Sequence, residues 1–106
     1  MVRTVFRVIF SGFARRRMRQ IHDFEENVND KRRASTIGSE ILKQAAELQK
    51  LPDANPNYLD ADDTDIRYRK AFSYKIIFRV LRKTGEVLIL TVRNDAENPS
   101  KIKEEL

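Results

Sequence analysis

A chain of 106 residues can bury one hydrophobic core but not two, so a single domain over 1–106 is expected, with a charged tail at 97–106 expected to be mobile. It has no cysteine and one histidine, which excludes disulfides and thiol catalysis, argues against a metal centre and implies no cofactor. The formal net charge of +5 favours acidic partners such as nucleic acid, an acidic protein segment or anionic lipid.

Membrane-spanning length is absent from every apolar run, and the first ten residues are too short and too interrupted by arginine for a secretory signal. A cytoplasmic protein with no membrane partner is expected. From Val2 to Phe10, Val2, Thr4, Phe6, Val8 and Phe10 alternate with Arg3, Val5, Arg7 and Ile9, the period of a strand. Phe6 and Val8 are expected to point inward. Ser11 then caps a helix of about 17 residues whose buried stripe reads Ala14, Met18, Ile21, Phe24 or Glu25, and Val28. Arg15, Arg16, Arg17 and Arg19 lie near its start, where they oppose the helix dipole. They read either as a solvated face or as a secondary basic patch for nucleic acid or a carboxylate-rich partner. His22 completes no cluster.

Asp30 is placed to cap a second helix, with Ala34, Ile37, Ile41, Ala45 and Leu48 buried, Leu42 and Leu51 widening the stripe, and Pro52 ending it. So short a break between helices implies a hairpin covering one sheet face. Residues 52–65 read as loop. The acids Asp60, Asp62, Asp63 and Asp65 invite a calcium reading, but the turn glycine and closing glutamate of an EF-hand are missing, so a solvated loop offsetting nearby arginines is the better account.

Three strands in meander follow. Ile66 to Lys70 is the first, carrying Arg67 and Arg69 on one side. In the second, Tyr74, Ile76, Phe78 and Val80 alternate with Lys75, Ile77, Arg79 and Leu81, and the third runs from Glu86 to Arg93. A three-residue loop with Gly85 left-handed would set Val80 opposite Leu88, Phe78 opposite Leu90, Ile76 opposite Val92, Lys75 opposite Arg93 and Arg79 opposite Ile89. One face is then wholly apolar. The other mixes cations with Ile77, Leu81 and Val87, which suits either solvated side chains or an anionic partner.

In that order, FRVIFSGFARRRMRQIHDF, IRYRKAFSYKIIFRVL and EVLILTVRN resemble the RelE/ParE superfamily of bacterial toxins, from Val5 to about Asn98. The resemblance implies an α+β fold of order β-α-α-β-β-β, with a helical hairpin on an antiparallel-rich sheet. It also implies a growth-arresting toxin paired with an acidic antitoxin that covers Ile77, Leu81 and Val87 or packs along the hairpin. Two branches follow from it. RelE-like members cleave messenger RNA on the ribosome, for which Lys75, Arg79 and Arg93 would be the catalytic candidates. Lys75 stands where that branch carries a phosphate-binding arginine, Asn94 and Asp95 replace an arginine or histidine, and no tyrosine follows Tyr74. That incomplete set leans toward the ParE-like branch, which inhibits DNA gyrase by binding. Arg67, Arg69, Lys75, Arg79 and Arg93 are then the expected target-binding surface. A basic nucleic-acid-binding module without toxicity is the remaining alternative.

Overall fold

The computed structural model describes residues 5–58 and 66–94. It is an α+β fold: β1 (Arg7–Phe10), α1 (Gly12–Val28), α2 (Lys31–Glu47), a short 3-10 turn (Pro52–Ala54), β2 (Ile66–Ala71), β3 (Tyr74–Leu81) and β4 (Glu86–Asn94). The sheet order is β1-β4-β3-β2, with β1 parallel to β4 and the other pairs antiparallel. Both helices pack on one face, where Ile21, Ile37, Ile41, Ala45 and Leu48 meet Tyr74, Ile76, Phe78, Val80, Val87, Ile89 and Val92.

Each helix begins where a side chain takes up a free amide. Ser11 Oγ accepts from the Ala14 N–H at 3.0 Å, and Asp30 Oδ1 from that of Arg33 at 2.7 Å. The second helix ends at Glu47 with Leu48 as cap, four residues ahead of Pro52, so the proline begins the 3-10 turn instead of stopping the helix. At the stripe's alternative position Glu25 is buried and Phe24 exposed. Val28 and Leu42 are exposed as well, at the margin of each helix's inward arc, and Leu51 is exposed because it lies beyond the end of α2. β1 is shorter than expected, starting at Arg7, although Phe6 and Val8 do pack on the core. Val2 to Thr4, the acids at 60–65 and the tail from Asp95 lie outside the described residues.

The β3–β4 register follows expectation at one end only. Lys75 faces Arg93 and Ile76 faces Val92, but from Phe78 the pairing shifts: Phe78 faces Ile89, Arg79 faces Leu88 and Val80 faces Val87. Leu90 is the extra residue of a bulge, and the loop has four residues, 82–85, with Gly85 at φ +70. Every residue from Val87 to Leu90 is aliphatic, so either parity buries apolar surface and the alternation could not decide. The bulge moves Val87 to the helix side, correcting its expected place beside the cations. Leu90 packs instead on Ile66 and Ile77. Ser11 secures this spot: its N–H donates to Ile89 O at 3.0 Å and its hydroxyl to Leu90 O at 3.1 Å.

Candidate functional site

The sheet face away from the helices carries the cations. The β2–β3 pairing sets Lys70 opposite Lys75, and the β3–β4 pairing sets Lys75 opposite Arg93, so three cations form a row across three strands. Like charges opposed in this way destabilise a sheet mildly. Lys75 finds aromatic compensation: its Nζ lies 4.9 Å from the Tyr68 ring centroid and 5.8 Å from that of Tyr58. These two rings meet edge to face, 5.8 Å apart. The next row is Tyr68, Ile77 and Thr91, and beyond it come Ile66, Arg79 and Leu88. Arg93 is buried, as is Thr91, whose hydroxyl makes no hydrogen bond among the described residues. Ile77 is fully buried and Leu81 half-buried, so Ile77 is not the exposed apolar position expected for an antitoxin to cover.

The five cations assigned to one surface divide between two. Lys75, Arg79 and Arg93 share the open face. Arg67 faces Phe78 across the ladder and Arg69 faces Ile76, which puts both on the helix side. There, Arg67 Nη1 donates to Asn55 O at 2.7 Å and Asp53 O at 3.1 Å, and Arg69 Nε donates to Gln44 Oε1 on α2 at 2.8 Å. Both arginines brace the β2 edge. Asp53 also pairs with Arg82 at 2.6 Å, and that hydrogen bond holds its carboxyl below the usual range. Lys70, Tyr58, Tyr68 and Thr91 complete the open face. For Tyr68 and Lys70 the signal is their alternation with Ile66, whose facing side is fixed only by a two-residue turn at Phe72–Ser73.

In the arginine run of α1, Arg15, Arg16 and Arg19 are exposed, while Arg17 Nε donates to Val92 O at 3.1 Å and pins α1 to β4. Beneath it, Tyr74 donates from its hydroxyl to Glu25 Oε1 at 2.7 Å, and Asn29 Nδ2 donates to Glu25 Oε2 at 2.7 Å. Burial, then the Glu25 carboxylate, pushes the Tyr74 hydroxyl up to about 12. A cleft of about 560 Å³ opens between β1 and the helices, lined by Val8, Ile9, Phe10, Arg15, Met18 and Leu42. Among the described residues no group of three or more histidines or carboxylates is placed to hold a metal ion, and no helix is long and apolar enough to cross a membrane.

No protein-family model and no curated protein matches the sequence. Solved structures do match in shape. A chain of the chromosomal ParDE toxin–antitoxin system from P. aeruginosa superposes with TM-score 0.71 at 16% identity, covering 86% of this chain and 97% of that one. This is the RelE/ParE fold. A chain of the RelBE2 toxin–antitoxin complex from Mycobacterium tuberculosis gives 0.66 at 18% identity, covering 85% and 98%. An arginine-to-alanine double mutant of the E. coli toxin RelE in the free state gives 0.68 at 18%, covering 95% and 93%. The scores do not separate the ParE from the RelE branch. The element order expected from the resemblance is the order observed.

Proposed function

We propose that this chain is the toxin of a toxin–antitoxin pair and arrests growth by binding an essential target through its open sheet face. The observation that carries the reading is the exposed Lys70 and half-exposed Lys75, backed by Tyr58 and Tyr68, on the face of a RelE/ParE sheet away from the helices, with Arg93 buried at the end of the same row. Arg79 extends that surface, and DNA gyrase is the target if the chain is ParE-like. Arg67 and Arg69 contribute by holding the edge strand. Arg15, Arg16 and Arg19 form a separate patch beside the cleft.

A partner for the cleft follows from its chemistry. An acidic antitoxin segment with apolar side chains fits the Val8, Phe10, Met18 and Leu42 walls, with Arg15 available to a carboxylate. A second reading, ribosome-dependent cleavage of messenger RNA, is favoured by Lys70 and Tyr68. They add a cation and a phenol to Lys75, Arg79 and Arg93, beside tyrosine rings on which bases can stack. Brief induction in bacteria lacking an antitoxin, with labelled amino-acid and thymidine incorporation followed from the first minutes, tests both. An early stop in DNA synthesis with translation continuing supports the gyrase reading. An early stop in translation, with cleaved messages, supports the nuclease. No arrest at good expression removes the toxin reading.

A further inference from the structure

At one end of the molecule two turns meet. The β2–β3 turn carries Phe72, half-exposed and left-handed at φ 55, in a position where glycine or asparagine is ordinarily found. The α1–α2 turn brings the exposed Lys31, Arg32 and Arg33, and the Arg33 guanidinium lies 5.7 Å from the Phe72 ring centroid. Val28, at the end of α1, is exposed too. The buried hydrogen bond from Tyr74 and the part-buried one from Asn29, both to Glu25, clamp the two turns together, so the surface is preformed.

Nothing in the fold calls for this arrangement. A strained aromatic gains little by standing in water, and three consecutive cations sit in a helical turn that has no acidic residue. Among the described residues no carboxylate pairs with the side chains of Lys31, Arg32 or Arg33, and the adjacent Asp30 carboxylate takes up the Arg33 N–H. We infer that this end is a docking surface for a protein partner presenting an acidic segment with an apolar side chain, which packs on Phe72 and Val28 while its carboxylates meet Lys31, Arg32 and Arg33. Charge complementarity fixes the sign of the partner, and the exposed Phe72 and Val28 favour a polypeptide over nucleic acid. The surface lies on the helix side of the sheet, apart from the cationic row, and does not depend on toxicity.

The test is a titration of the full chain, followed by its amide NMR resonances, with three probes: a short peptide of aspartates flanking one leucine, the same peptide with asparagines, and an oligonucleotide of equal charge. The acidic peptide should shift Phe72, Ser73, Arg32 and Arg33 and bind about tenfold more tightly than the asparagine version. Arg32→Glu should abolish that difference. Phe72→Gly, which relieves the left-handed strain and so preserves the fold, should weaken the peptide about as much. Shifts confined to Lys70 and Lys75, equal binding of the two peptides, or preference for the oligonucleotide at this end would overturn the inference.

Discussion

Under the helices, Tyr74, Ile76, Phe78, Val80, Val87, Ile89 and Val92 are sealed from solvent, whereas the opposite face of the same strands sets buried Ile66 and Ile77 among exposed or half-exposed Tyr68, Lys70, Lys75 and Arg79. Stability is therefore concentrated on one side of the sheet. The other side sets like charges opposite one another, Lys70 against Lys75 and Lys75 against Arg93. Side chains one residue apart in β3 thus serve different ends, Phe78 the fold and Arg79 the surface.

Substitutions can break this contrast. Phe78→Ala should lose about 3–5 kcal/mol by emptying the core, read from the denaturation midpoint. An unchanged midpoint would mean the helix side does not hold the fold. Glu25→Ala should lose about 1–3 kcal/mol, because the buried Tyr74 hydroxyl is left without its acceptor. Tyr74 also gives the contrast a pH signature. Its folded value of about 12 lies above the ordinary 10.0, so its contribution is whole below pH 10 and is lost as pH rises toward 12. Alkaline unfolding followed with tyrosinate absorbance should show that loss in the parent and not in Tyr74→Phe. Ser11→Ala should lose about 0.5–2 kcal/mol, since the helix cap and the bond to the bulge carbonyl go together. At the small end, Lys75→Ala should stay within about 0.5 kcal/mol of the parent and yet reduce growth arrest in induced cells. A large drop in its midpoint, or undiminished arrest, would undo the assignment of that face.

Elements and caps were legible because they rest on local chemistry: Ser11 and Asp30 cap as their side chains dictate, and the buried positions of α2 follow the helical period. Two things were not legible. The aliphatic run of β4 carries no parity signal, and the bulge at Leu90 shows only in the fold, where Ser11 bonds the Ile89 and Leu90 carbonyls. Phe72–Ser73 lacks the glycine or asparagine that marks a tight hairpin, and without that turn β2 could face either way. The sequence alone therefore groups Arg67 and Arg69 with the open-face cations, whereas the ladder puts their neighbours of opposite parity, Tyr68 and Lys70, on that face. The cationic character of the face was readable. Its membership depended on one unmarked turn.

The parallel pairing of β1 with β4 has a consequence for synthesis. Arg7 to Phe10 align with Glu86 to Ile89, so β1 finds its neighbour only in β4, and the Arg7–Glu86 ion pair closes across 79 residues. Chain closure over such a distance slows folding relative to a local hairpin. A nascent chain lacking β4 has no neighbour for β1 and lacks Val87, Ile89 and Val92 beneath α1. Translation must therefore pass β4 before the sheet can be completed, and a chain cut short before Glu86 should remain unfolded, without either face of the sheet.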